Sequence, residues 1–129
     1  MKGMGPAQTS APSSRVLLAD DQAAFREVAS GIVAETAGLE LVGAVERLTQ
    51  LPELVDRWGA DLLLLDVRIP GEDTLAMAVH LRRTRPELRV VLVSANSIDD
   101  IPEEIFDLGI GFIAKENLSP AALVEVMAT

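Results

Sequence analysis

The chain has no cysteine among its 129 residues. Disulfides, thiolate metal sites and a cysteine nucleophile are therefore excluded, and a reducing compartment is compatible. There is one histidine, His80, with no second His, Cys or carboxylate at ligand spacing, so it reads as a surface position on a helix. Basic residues are scarce: 11 Lys and Arg stand against 20 Asp and Glu, a formal net charge of −9. Clustered cations are what grip a phosphate backbone, so no direct nucleic-acid binding by this chain is expected. No apolar run approaches the ~20 residues that span a bilayer, so no membrane segment is expected either. No P-loop occurs, and the GxGxxA at 109–114 precedes a strand instead of opening a helix, which fails the context of a dinucleotide loop.

What is present is ample apolar material, 49% of residues with 24% charged, enough for one proper core at this length. Residues 1–14, MKGMGPAQTSAPSS, are rich in Pro, Ser, Gly and Ala and lack the apolar centre of a secretory signal. They are expected to be a disordered N-terminal tail, with residues 15–129 forming one domain in the cytoplasm.

From Arg15 the sequence alternates regularly. RVLLA (15–19), LELVGAV (39–45), LLLLD (62–66), RVVLVS (89–94) and GFIA (111–114) are short apolar strands. Between them Phe25, Val28, Ala29, Ile32 and Val33 recur at helical spacing until Gly38. Leu51, Leu54, Val55 and Trp58 do so until Gly59. Asp73 is a helix N-cap with Leu75, Ala76, Val79 and Leu81 expected inward. Pro102 opens a fourth helix carrying Ile105, Phe106 and Leu108 as far as Gly109, and Ser119-Pro120 opens a last one with Leu123, Val124 and Met127 on one side. Arg82, Arg83 and Arg85 read as a solvated basic helix end that meets the helix dipole. Strands that are continuous apolar runs are buried on both faces, so the expected fold is α/β: a five-stranded parallel sheet with helices on both faces, doubly wound (βα)5.

In such a sheet ligands bind outside the carboxyl ends of the strands. Asp20-Asp21 follows the first strand, Asp66 ends the third, Ser94 the fourth, and Lys115 follows the fifth. Three carboxylates converging in one crevice raise one another's pKa and call for a compensating cation, and hard oxygen donors without His or Cys point to Mg²⁺. Lys115 suits a phosphoryl oxygen. A strand-end carboxylate, Mg²⁺, a lysine and a hydroxyl together are what aspartyl-phosphate chemistry needs. Taken singly, each has an ordinary reading: Asp20-Asp21 and Asp66 as caps or turn formers, Ser94 as a strand-end hydrogen-bonder, Phe112 as core. Their joint occurrence at four strand ends, in order, favours a site.

RVLLADD, LLLLDVRIPG, VVLVSA and GFIAKENLSP, in this order and spacing, resemble the receiver domain of bacterial two-component response regulators, from Arg15 to the C-terminus and with the flavodoxin-like receiver fold. ADDQAAFREV, LELVG and AKENLSPAAL look most like the NarL/FixJ-type subfamily. The resemblance implies a phosphorylation-dependent switch that accepts a phosphoryl group from a sensor histidine kinase on Asp66. It implies Mg²⁺ bound directly by Asp21 and Asp66, through water by Asp20, and by the carbonyl of Arg68. It further implies that Ser94 and Lys115 contact the phosphoryl group and that Phe112 is the rotamer switch. The face of the fourth helix, fifth strand and fifth helix is then re-presented to a partner, possible homodimerisation on phosphorylation included. Arg68 and Asn96, each two residues past a key position, are expected to face one another across the mouth of the site and tune the phosphorylated lifetime, Arg68 by shielding.

The sequence departs from the family's pattern in ERLTQ (46–50), which lacks the common acidic-Gly pair, in Thr74 where many relatives have Gly, and in GIGFIAK, one residue shorter than usual. The helix-turn-helix effector of the subfamily is not in the chain, which reads as a stand-alone receiver or a truncation. The chief alternative is an aspartyl-phosphate phosphatase of the haloacid-dehalogenase kind. That chemistry needs an Asp two positions after the nucleophile as general acid and base, and Arg68 stands there, which cannot deprotonate near neutral pH. A pseudo-receiver acting unphosphorylated is disfavoured by the intact site. The expected role is thus a phosphoacceptor signalling domain and not an enzyme.

Overall fold

The computed structural model describes residues 13–128. Five strands, β1 (Ser14–Ala19), β2 (Leu39–Val45), β3 (Leu62–Asp66), β4 (Arg89–Ser94) and β5 (Gly111–Ala114), alternate with five helices: α1 (Ala23–Ala34), α2 (Leu51–Trp58), α3 (Thr74–Thr84), α4 (Glu103–Phe106) and α5 (Pro120–Ala128). Every pairing is parallel and the strand order is β2-β1-β3-β4-β5. The expected doubly wound, flavodoxin-like sheet is therefore present, with its strand order reversing between β1 and β3. The tail expected over residues 1–14 lies outside the described residues save at its end, where Ser14 already belongs to β1.

The all-apolar strands follow from where their side chains go. Alternate residues point to opposite faces. Leu17, Ala19, Leu63, Leu65, Val90 and Leu92 pack under α2, α3 and α4, whereas Val16, Leu18, Leu62, Leu64, Val91 and Val93 pack under α1 and α5. β3 is buried along its whole length, Asp66 included.

Helix ends carry their expected chemistry in most places. The Asp73 carboxylate accepts from Ala76 N–H at 3.0 Å, Gly59 closes α2 in the left-handed region, and the Ser119 hydroxyl accepts from Ala122 N–H. Other details differ from the sequence-based expectation. α1 stops at Ala34, and Gly38 (φ +85°) serves the turn into β2. Val28 and Val124, expected inward, are 57% and 54% exposed, and Ala76 also faces out while Thr74, Ala78 and Leu81 form the buried line of α3. The fourth helix is reduced to one turn, preceded by a 3₁₀ turn over Ile98–Asp100. Arg85 is not simply solvated: its guanidinium grips the Asp56 carboxylate through two contacts of 2.8 and 2.7 Å, tying the end of α3 to α2. Among the described residues no helix is long and apolar enough to cross a membrane.

Candidate functional site

Parallel strands deliver their last residues to one edge, and there the structure gathers the polar groups expected of the site. Asp20 lies at the end of β1, fully buried, its backbone N–H fixed by the Val45 carbonyl. Its Oδ1 accepts from Gln22 N–H at 2.7 Å. Oδ2 is buried without an aligned donor, although Lys115 Nζ stands 2.7 Å away, a contact of charge more than of hydrogen-bond geometry. Asp66 ends β3 at 4% exposure, with Oδ1 accepting from Arg68 N–H at 3.1 Å and Oδ2 lying 3.4 Å from Lys115 Nζ. Asp21 is the most accessible of the three acids, and carboxylate oxygens of Asp20, Asp21 and Asp66 all fall within 4.8 Å of one another.

Three carboxylates face one ammonium in a crevice where two of them are out of water. Burial pushes the Asp66 carboxyl up from 3.8 to about 6; the charge of Asp20 adds to that, while the Arg68 N–H and Lys115 pull the other way. A buried acid oxygen without a donor, an uncompensated negative charge and an all-oxygen ligand set fit a hard divalent cation.

Ser94 is buried at the end of β4, one position beyond the residue that pairs with Asp66. Its Oγ accepts from Asn96 N–H at 2.9 Å, and the side chain lines an open hollow of about 550 Å³ together with Val67, Arg68 and Asp100. Phe112 pairs with Leu92 across the sheet, half-buried against the core under α3 and α4. It also lines a second hollow of about 510 Å³, together with Ala95, Asn96, Ile98 and Ala114. The short GIGFIAK stretch therefore still sets Phe112 three residues before Lys115 on β5.

Arg68 and Asn96 are not brought face to face. The Arg68 guanidinium reaches away to Asp100, 3.7 Å off in the 3₁₀ turn, and Asn96 lines the other hollow. Thr74 seals the loop after β3 by donating from Oγ1 to the Val67 carbonyl, and Glu72 accepts from Leu48 N–H, bracing the loop after β2.

Two residues at the site were not expected there: Gln22, which drew no reading, and Phe25, which was read only as part of the inward stripe of the first helix. Gln22 Oε1 accepts from Lys115 Nζ at 3.1 Å, and the Phe25 ring lies 4.4 Å from the same ammonium. Their signal was position: Gln22 directly follows the acid pair at the N-terminus of α1, and Phe25 follows one turn later.

Residues 16–128 match the family model of the response regulator receiver domain. The chain is 31% identical over 113 residues to protein-glutamate methylesterase/protein-glutamine glutaminase 2 of Xanthomonas oryzae, covering 86% of this chain and 32% of that protein. It is 28% identical to the response regulator GacA of Pseudomonas aeruginosa, over 78% of this chain and 48% of that protein. It thus spans less than half the length of these relatives. The signal receiver domain of NarL from Mycobacterium tuberculosis superposes with a TM-score of 0.77 at 27% identity, covering 92% of this chain and all of that one. The response regulator domain of CheB from Thermotoga maritima gives 0.76 at 21%, over 90% and 95% of the two chains, a likeness of fold. With a family model matched over residues 16–128 and the acidic crevice at its expected edge, the chain belongs to the response regulator receiver domain family.

Proposed function

We propose that this domain is a phosphorylation-dependent switch in which Asp66 takes a phosphoryl group from a sensor histidine kinase. The observation that carries the reading is the convergence of Asp20, Asp21, Asp66 and Lys115 within a few ångströms at one edge of the sheet. An Asp66 oxygen attacks phosphorus in line, the bond to the donor imidazole breaks, and the departing nitrogen keeps the electron pair and takes up a proton. The Arg68 N–H orients the carboxylate, and Lys115 stands beside it to meet the charge spread over the phosphoryl oxygens. Asp21, Asp66 and the Arg68 carbonyl would hold Mg²⁺ directly and Asp20 through water. When bound, the ion neutralises the crevice and the developing charge.

The Ser94 hydroxyl, already accepting from Asn96 N–H, keeps its own hydrogen to offer a phosphoryl oxygen. Drawing residues 94–96 inward enlarges the hollow beside Phe112, and the ring turns into it. The α4, β5 and α5 face is then altered for a partner, which includes a second copy of the chain. Coupling of this kind is typically worth ~1–3 kcal/mol. The mixture of NarL-like and CheB-like relatives leaves transcription-linked output of the NarL/FixJ type as part of this proposal, carried by the motif ADDQAAFREV and by a 27% identical neighbour. A cytoplasmic site of action belongs to it as well.

The test is incubation with a small acyl phosphate or a phosphorylated histidine kinase, with Mg²⁺ or with chelator. One phosphoryl group per chain is expected with Mg²⁺ and none with chelator; equal labelling in both refutes the metal's part. Asp21→Ala should lower Mg²⁺ affinity roughly ten-fold or more by calorimetry.

A further inference from the structure

Lys115 is held from α1 by two residues that carry no charge. Its nearest neighbour is the charge of Asp20 Oδ2 at 2.7 Å, but of its two directed hydrogen bonds the shorter, 3.1 Å, goes to neutral Gln22 Oε1 and the longer, 3.4 Å, to the carboxylate of Asp66. The Phe25 ring closes another side of the ammonium at 4.4 Å, a cation–π contact. Gln22 is the N-cap position of α1 and Phe25 follows three residues on, so one helical turn presents both groups to the same atom. The Lys115 side chain is only 12% exposed, packed between these groups and the acids.

The two kinds of contact differ in what happens to them during phosphoryl transfer. A cation among the three acids and a phosphoryl group on Asp66 change the charges that Lys115 faces on that side. Gln22 and Phe25 are not consumed by either event. A lysine held only by the acids would swing on its four-carbon stem as their charges changed, and ordering that stem is costly in rotamer freedom.

We propose that Gln22 and Phe25 are positioning residues that hold the Lys115 ammonium beside Asp66 throughout phosphoryl transfer. This rests on Asp66 being the phosphoacceptor, so the test has one arm that needs no phosphorylation. The chain has two lysines, Lys2 and Lys115, and Lys115→Arg assigns the side-chain NMR signals of Lys115 without ambiguity. Phe25→Leu should shift the Lys115 Hε signals downfield by removing the ring current, and Phe25→Tyr should keep them in place. Gln22→Ala should sharpen those signals as the stem gains motion.

In the second arm the phosphorylation rate is measured with a small acyl phosphate at saturating Mg²⁺. Gln22→Ala and Phe25→Leu should each slow it roughly three- to ten-fold, with Phe25→Tyr near wild type. In a Lys115→Ala background neither change should slow it further, because residues that act through one group do not add. Lys115 signals indifferent to both substitutions, or equal slowing with and without Lys115, would overturn the proposal. A wild type that accepts no phosphoryl group, with Lys115 signals that respond as expected, would instead overturn the assignment of Asp66 and with it the role in transfer.

Discussion

Asp66 is ionised at a cost, and the cost has a pH signature. Its carboxyl is pushed up to about 6, chiefly by burial, from 3.8. The native state therefore binds this proton more tightly than the unfolded chain. Stability falls as pH rises from about 4 to about 6, and the penalty is complete above that. Metal-free Asp66→Asn should be more stable than wild type by on the order of 1–2 kcal/mol at about pH 7.5 and should lose that advantage below about pH 4. Urea melts in chelator at both pH values check this; an advantage independent of pH would assign it to something other than the charge. Arg68 presents a second case. Its guanidinium rests on Asp100, both side chains more than half exposed, an ion pair of little intrinsic strength that a phosphoryl group can outcompete. If Arg68 then shields the acyl phosphate from water, Arg68→Asn should dephosphorylate several-fold faster, about what ~1 kcal/mol of protection gives. An unchanged or slower rate contradicts shielding. Trp58 is a poor reporter for either event. It ends α2 at the opposite edge of the sheet, where Arg15 Nε donates to its carbonyl.

The elements show why some of this was legible and some was not. Strands buried on both faces read as unbroken apolar runs, so a polar residue at a strand end stands out; Asp20, Asp66, Ser94 and Lys115 were visible for that reason. Helices give less. Where two apolar residues are adjacent, as at Val28-Ala29 and Leu123-Val124, hydrophobicity does not say which faces in, and the structure buries Ala29 and Leu123 and exposes the valines. The one-turn α4 escaped because its pattern shows where apolar residues lie and not how few backbone bonds join them. The hold of Gln22 on Lys115 spans 93 residues of sequence and has no local trace. Packing between elements also supplies a stability prediction. Gly43 on β2 lies under the Trp58 ring, and a Cβ there would collide with the ring. Gly43→Ala should destabilise by roughly 1–3 kcal/mol in denaturant melts. No loss of stability would mean that the indole moves aside freely.

At the scale of the whole molecule, the proposed switch places the change in the loops at the carboxyl edge of the sheet. The rearrangement proposed involves residues 94–96, Phe112 and the short α4, a segment built of single turns and not of a long helix, and ~1–3 kcal/mol of coupling is enough to bias it. Ser94→Ala should still be phosphorylated yet lose most of the amide shift changes over residues 94–114, because the hydroxyl reads the phosphoryl group and does not attack. An equal response in both proteins would remove Ser94 from the switch. All of this depends on where the phosphoryl group goes. Borohydride reduction of the freshly phosphorylated chain, followed by peptide mass analysis, marks the acylated aspartate directly. The account predicts the mark at Asp66 in wild type with Mg²⁺ and no mark in Asp66→Asn; a mark at another acid in wild type, or an undiminished yield in the variant, would contradict it.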